Sequence, residues 1–322
     1  MVNRAARPGN TLGTAQDQTE GIAQMDAQWD DMKVFLAVAR EASLSGAGRI
    51  LKMDPATVGR RIARFEAALE TPLFVKSPQG YALSAAGDRL LVHAEAAEQA
   101  MRAGAEALTG PSDTLSGQIR IGAPDGSANY ILPQVCAAIC EEHPDLDIQI
   151  VALPRVINLS RREADMAVTV SAPTAGQLLV QKLTDYKLHM VGSHHYLRKH
   201  PPIKKLEDLK GHKMIGYIPD MIFDQELDYI SNLGIERVAL ASNSVSVQIK
   251  LAAQGTALCV AHDFSLPAHR MLRKVLTDKI SLTRSFYLVR HQGDQRSERL
   301  NRFARALTKG IRDEVARLEA LT

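Results

Sequence analysis

Residues 54–69 read DPATVGRRIARFEAAL, the most fully specified helix in the chain. Asp54 supplies an N-cap carboxylate and Pro55 a first-turn residue whose missing N–H costs nothing there. From that start Val58, Ile62, Phe65 and Leu69 recur at +4, +3 and +4, one buried stripe. Thr57, Arg60, Arg61 and Arg64 take a separate face. Between Arg49 and Arg64 the basic residues are Arg49, Lys52, Arg60, Arg61 and Arg64, against Asp54 alone. A capped helix with an apolar back and an arginine-rich front reads as the second helix of a helix-turn-helix, the one that enters a DNA major groove. Thr57 would meet phosphate or a base edge near the helix start, and the arginines would fork onto guanine or phosphate. The bland alternative for such a face is solvated surface charge.

Upstream, Met32, Phe35, Leu36, Ala39 and Ala42 mark an amphipathic helix beginning at Trp29. Ser45 reads as the N-cap of a short second helix ending near Lys52. Its Gly46 and Gly48 would cost about 1 kcal/mol each in an exposed helix, so close packing is expected there. Downstream, Leu73–Lys76 and Tyr81–Leu83 are short strands around Pro78-Gln79-Gly80, a hairpin wing that carries Lys76 towards phosphate. Ser84 caps a helix to about Leu108, on which Leu90, Ala94, Ala97, Met101, Gly104 and Leu108 form a heptad-like seam. A long helix with a narrow stripe and no evident partner in its own small domain suggests dimerisation, with packing on the same chain as the alternative. Gly110-Pro111-Ser112-Asp113 then breaks the pattern as a linker.

The chain has 322 residues, 45 % hydrophobic and 23 % charged, which suits a globular protein of about two domains. No run approaches the roughly 18 apolar residues of a membrane span. Residues 1–28 carry Asp17, Glu20 and Asp26 with almost nothing apolar, so they read as a disordered tail without the features of an export signal. The three cysteines make no disulfide framework, which suits a reducing cytoplasm. A net charge of +3 names no partner, and over residues 29–110 ten Lys and Arg meet ten Asp and Glu. DNA binding would therefore rest on the local cluster.

Residues 117–322 alternate strand and helix patterns, predicting an α/β domain with a parallel sheet. Strands are expected at Ile119–Ala123, Leu146–Val151, Ala164–Val170, Leu188–Gly192, Met214–Tyr217, Arg237–Ala241, Thr256–Ala261 and Phe286–Arg290. Helices are expected at Tyr130–Glu141, Asn158–Arg162, from about Phe223, at Val245–Gln254 and at the C-terminus. No GxSxG elbow, P-loop, HExxH or GxGxxG is present, so no catalytic chemistry or cofactor is indicated. Cys136 and Cys140 stand at i, i+4 among apolar neighbours and read as core. His189, His194, His195 and His200 have no cysteine or carboxylate at ligand spacing, so a histidine metal sensor is the weaker reading and no metal site is assigned.

Residues 32–87, MKVFLAVAREASLSGAGRILKMDPATVGRRIARFEAALETPLFVKSPQGYALSAAG, resemble the winged helix-turn-helix of LysR-type transcriptional regulators. The resemblance continues through GQIRIGAP (117–124), His143-Pro144, RREADMAV (161–168) and AAQG (252–255), spanning about 29 to 312. Departures are Gly59 for a common serine, Gly48 for alanine, Lys76 for arginine, and Ser84-Ala85 for Thr-Glu. The resemblance implies a cytoplasmic regulator of double-stranded DNA, a homodimer or homotetramer with no membrane segment. Ser45, Thr57, Arg60, Arg61, Arg64 and Lys76 would be its DNA contacts, and Leu90, Ala94, Ala97, Met101 and Leu108 its dimer seam.

The same resemblance implies a two-lobed effector domain like a periplasmic binding protein, with crossovers near Thr184–Lys187 and Leu282–Ser285. The expected organisation is a tail (1–28), a reading domain (29–87), a linker helix (88–110), a hinge (111–116) and an effector domain (117–322). Lobe I would take 117–185 and 285–322, and lobe II 186–284. Ligands of such sheets sit at strand carboxyl ends. Candidates there are Asp125, Ser127, Thr169 and Ser171 on one side, and Tyr217, Asn243, Ser244, Ser246 and His262 on the other. Hydroxyls and helix-start N–H groups suit a small-molecule effector such as an organic acid. The competing class is an α/β small-molecule-binding protein, or a metal or redox sensor, whose specific DNA binding is weak or lost.

Overall fold

The computed structural model describes residues 29–77, 80–108, 114–152, 159, 163–174, 178–230, 233, 235 and 237–322. The tail, the wing tip Pro78-Gln79, the linker 109–113 and nearly all of the expected helix at Asn158–Arg162 lie outside them. The chain divides into two compact units, residues 1–100 and 101–322.

In the first unit, helix α1 spans residues 29–41, α2 Leu44–Leu51 and α3 Pro55–Ala68. Strands β1 (Phe74–Ser77) and β2 (Gly80–Leu83) pair antiparallel with Phe74 opposite Leu83, and α4 runs Ala85–Leu108. Phe35 is fully buried, with Phe65 of α3 at 6.3 Å and Phe74 of the wing at 5.4 Å between ring centroids. One aromatic thus joins α1, α3 and the wing, and burying a side chain of this size stabilises by about 1.5–3 kcal/mol. Val58 and Ile62 complete the expected stripe.

Three expectations are corrected here. Ser43 caps α2, accepting from the Gly46 N–H at 3.2 Å, while Ser45 lies exposed inside the helix. Ala42 is past the end of α1 at φ 50°, and its carbonyl accepts from the Tyr81 N–H, docking the wing. Leu90 and Ala94 of α4 pack into this unit's own core, and Arg40 of α1 forms a two-bond pair with Glu98 of α4 (3.1 and 2.7 Å). The first half of the seam is therefore already covered. Ala97 is half-buried, Met101 is 49 % exposed, and the Leu108 side chain lies outside the described set.

In the second unit the main sheet has seven strands in the order β10-β6-β11-β5-β3-β4, with β9 also on β6, among the described residues. The strands are β3 Gly117–Ala123, β4 Leu146–Ala152, β5 Met166–Thr169, β6 Leu178–Ser193, β9 Cys259–His262, β10 Leu272–Lys274 and β11 Ser281–His291. Within this sheet, among the described residues, β3–β4 and β3–β5 are the parallel pairs and the rest are antiparallel, so the expected parallel sheet is a mixed one. The segments expected as crossovers lie in one long β6–β11 ribbon, Leu282 opposite Leu188 and Phe286 opposite Thr184, with a bulge at Phe286/Tyr287. Beyond it β7 (Ile215–Gly216) and β8 (Leu240–Ala241) form a short parallel pair.

Helices α5 (Asp125–Tyr130) and α6 (Leu132–Glu142) replace the single helix expected from Tyr130, because Pro133 lacks the N–H that would carry the ladder through Ile131. Among the described residues the helix expected from Phe223 does not form. Two 3-10 turns, Pro219–Met221 and Gln225–Leu227, stand there, the second capped by Asp224. Helix α7 spans His194–Lys199, α8 Val245–Ala253 and α9 Glu298–Glu319.

Candidate DNA-reading face and effector cleft

Asp54 accepts from the N–H groups of Ala56 (2.8 Å) and Thr57 (3.4 Å), so the cap read in the sequence fixes where α3 begins. With its stripe inward, α3 turns Arg60 to solvent, where its Nη2 donates to the Thr57 hydroxyl at 2.9 Å. Arg64 is employed differently. Its Nε and Nη2 both donate to the carboxylate of Asp31 on α1, a residue only 3 % exposed, and Arg61 stands 4.0 Å from the same carboxylate. This pairing raises the Arg64 pKa through the hydrogen bond and charge of Asp31, keeping it cationic. Lys76 projects from the wing with its Nζ 5.8 Å from the Tyr81 ring centroid. The face thus carries one freely projecting arginine, one loosely paired and one anchored.

The cleft is built where β3 ends. Chain leaving β3 turns through Pro124 into α5 and faces the start of α8 and the end of β9. Asp125, Ser127, Tyr217, Asn243 and His262 line one cavity of about 20 Å³, room for roughly one water. Asp125 Oδ2 accepts from the N–H of Ser246 at 2.8 Å and from its hydroxyl at 2.7 Å. The helix start expected to receive a ligand's carboxylate thus receives one of the chain's own. Ser127 donates to the Pro124 carbonyl (3.1 Å), Thr169 to the Ser171 carbonyl (2.6 Å), and Ser244 caps α8 by accepting from Val247 N–H (3.3 Å). Ser171 donates to the carboxylate of Asp224, a second link across the cleft.

His262 is buried, stacked on Phe264 at 4.7 Å, with its Nε2 3.4 Å from the Tyr229 hydroxyl. Burial pushes its pKa down to about 4 despite the nearby carboxylates of Asp125 and Asp263, so the ring is neutral at pH 7. Its Nδ1 has no hydrogen-bond partner among the described residues. Burial raises the Tyr217 and Tyr229 hydroxyls as well.

Among the described residues no three His, Cys, Asp or Glu are placed to hold a metal ion. Cys136 and Cys259 are buried with pKa pushed up to about 12, the inert form of a thiol. Among the described residues, no helix is long and apolar enough to cross a membrane.

Residues 29–88 match the family model of the bacterial regulatory helix-turn-helix protein, lysR family, and residues 112–312 match the LysR substrate binding domain. The chain belongs to the LysR family. The HTH-type transcriptional regulator GltR of Bacillus subtilis (strain 168) is 27 % identical over 205 residues, 62 % of this chain and 67 % of GltR. DgdR of Burkholderia cepacia, also an HTH-type transcriptional regulator, is 31 % identical over 151 residues, 46 % of this chain and 50 % of DgdR, so the match spans half of that relative. The structure of CrgA, a LysR-type transcriptional regulator from Neisseria meningitidis, superposes with a TM-score of 0.55 at 21 % identity, covering 88 % of this chain and 98 % of CrgA. At that identity the likeness shows the fold, a helix-turn-helix unit with a LysR substrate-binding unit.

Within this LysR-family fold, a Cβ on Gly59 would stand 3.3 Å from Leu44 Cδ1, so the departure from serine relieves crowding against α2. Sequence reasoning missed Asp31, Asp224 and Tyr229. Asp31 is one of two consecutive acids near the start of α1. Its place one turn before Phe35, at i, i+4 on the buried side of α1, was the available signal that it points inward.

Proposed function

We propose that this LysR-family regulator binds specific double-stranded DNA through α3, as a homodimer or homotetramer, and that a small molecule in the cleft of its C-terminal unit modulates the complex. It carries out no catalytic chemistry and acts in the cytoplasm. The observation that carries this reading is α3 itself: buried by Val58, Ile62 and Phe65, capped by Asp54, and presenting Thr57, Arg60 and Arg61 on its other side. Two such helices in successive major grooves would read a pseudo-palindrome. Ser45 and Lys76, both exposed, would add phosphate contacts from α2 and the wing. Arg64 would support the face from its place on Asp31. Pairing would use the part of α4 around Ala97 and Met101.

The domain scheme proposed is a reading domain (29–87), linker helix (88–110), hinge (111–116) and effector domain (117–322), with lobes meeting along the β6–β11 ribbon. The test is binding of the full chain to DNA upstream of its own gene across a salt series, against bulk DNA. Saturable binding that outcompetes bulk DNA supports a specific regulator. Binding that never exceeds bulk DNA at any salt, with no other genomic fragment selected, leaves an α/β binding protein.

A further inference from the structure

The cavity between α5, β9 and α8 is unusual in which hydrogen-bonding roles it leaves open. Among its described lining residues Asp125 is the sole charged side chain. The α8 start, which would attract an anion, already has the Ser246 N–H and hydroxyl donating to Asp125. Ser127 spends its proton on the Pro124 carbonyl. The remaining buried group without a partner is His262 Nδ1. His262 Nε2 lies 3.4 Å from the Tyr229 hydroxyl and can donate to it. In the tautomer that donates there, Nδ1 carries a lone pair. In that tautomer the cavity offers a carboxylate and a ring nitrogen as acceptors, beside the rings of Tyr217, Tyr229 and Phe286, while the Tyr217 hydroxyl and Asn243 amide can donate but carry no charge.

An organic acid brings only acceptors and a negative charge. Here it would be desolvated beside Asp125 with no lysine or arginine to offset it. A protonated amine brings N–H donors for both acceptors once Ser246 releases Asp125, a charge opposite to that of Asp125, and a cation that aromatic faces attract. The larger adjoining cavity of about 1020 Å³, beyond Tyr217 and Tyr229, balances Arg237 and Arg284 against Glu226 and Asp228. It supplies no excess positive charge to reverse this preference.

We infer that the cleft selects a cationic amine with a compact apolar body, its ammonium group held by Asp125 and His262. This inference rests on the proposed reading of the cleft as the effector site, and it replaces the organic acid expected there. Space for the ligand requires the two cross-cleft links, Asp125 with Ser246 and Ser171 with Asp224, to part. The ammonium group then takes over the Asp125 carboxylate from Ser246.

The experiment titrates the full-length protein with benzylamine, cyclohexylamine and butylamine, and with phenylacetate, cyclohexanecarboxylate and pentanoate. Binding is read by calorimetry and thermal shift near neutral pH. The amines are expected to bind and the carboxylates not. Asp125→Asn, which keeps the shape, should weaken amine binding about tenfold or more. Ser246→Ala, which leaves the carboxylate and removes a competing donor, should bind amines at least as tightly as wild type. Carboxylate binding to wild type overturns the inference. So does amine binding by Asp125→Asn within about twofold of wild type, or failure of wild type and Ser246→Ala alike to bind any amine. DNA binding is measured separately on the same preparations. Amine binding without specific DNA binding defeats the regulator reading and leaves the ligand class, and the reverse result defeats the ligand class alone.

Discussion

The three arginines of α3 should not be equivalent, and their order is the sharpest consequence of the reading face. Arg60 projects with only the Thr57 hydroxyl as partner, so its guanidinium is available to a base or phosphate. If it forks onto a base, Arg60→Ala should cost about 1–3 kcal/mol, a loss of about 5- to 150-fold confined to the preferred sequence. If it meets phosphate, the loss should be uniform across sequences and the salt slope should fall by about 0.9. Arg64 is different because its Nε–Nη2 edge already holds Asp31. Arg64→Ala should weaken DNA binding less than Arg60→Ala, and show mainly as a looser fit of α1 to α3. Arg61, at 4.0 Å from Asp31, should fall between. Removing the shared negative charge with Asp31→Asn should loosen both arginines, tighten binding to bulk DNA and steepen its salt dependence. Fluorescence anisotropy on a selected site and on random DNA, across a salt series, reads all four variants. If Arg64→Ala loses as much affinity as Arg60→Ala, with the same sequence dependence, the division of labour drawn from the Asp31 pair is wrong.

Three further outcomes follow from the packing. Gly48→Ala gains about 1 kcal/mol of helix propensity, but its Cβ would stand 2.6 Å from the Met53 carbonyl oxygen, a backbone atom. Overpacking at about 1–3 kcal/mol should win, and urea unfolding should show a net loss. A variant more stable than wild type would show that the turn into α3 yields easily. His262 ordinarily has a pKa near 6.5 and is held at about 4 when folded, so the unfolded chain binds the extra proton between those values. Stability should therefore fall as pH drops from about 6.5 to 4, by about 3 kcal/mol from this group, and be unaffected by it above that window. Replacing it by phenylalanine should flatten that part of the curve, and an unchanged slope would move the proton elsewhere. Met101→Glu, on the exposed continuation of the α4 seam, should shift the oligomer towards monomer in sedimentation, whereas an unchanged mass would place pairing elsewhere.

What could be read from the sequence was what local chemistry dictates. Asp54-Pro55 and the stripe behind it needed no tertiary information, and α3 begins and buries as they specify. Ser45 reads as the cap, but Ser43, two residues earlier, takes that place. The choice fell to whichever register buries Ala47, which only the assembled core decides. The long strands β6 and β11 were read as short apolar pieces, because the stretch through Gln181, Lys182 and Asp185 carries polar residues that a ribbon tolerates on its open face.

The segment after Phe223 has helix-like spacing, but Asp224 caps a single 3-10 turn and accepts the cross-cleft bond from the Ser171 hydroxyl with its other oxygen. A non-local partner thus overrode a local preference. The cleft was legible as a neighbourhood, since strand ends and helix starts converge there. Its occupancy was not: that Asp125 fills the α8 start depends on two segments 121 residues apart.

The most direct measurement is selection of DNA by the full-length protein from a random-sequence pool, repeated with the Arg60→Ala/Arg61→Ala variant. The account predicts an enriched inverted repeat for the wild type, with half-sites about one helical turn apart, and its disappearance in the variant. No enriched motif for the wild type, or the same motif for both proteins, would contradict α3 as the reading helix.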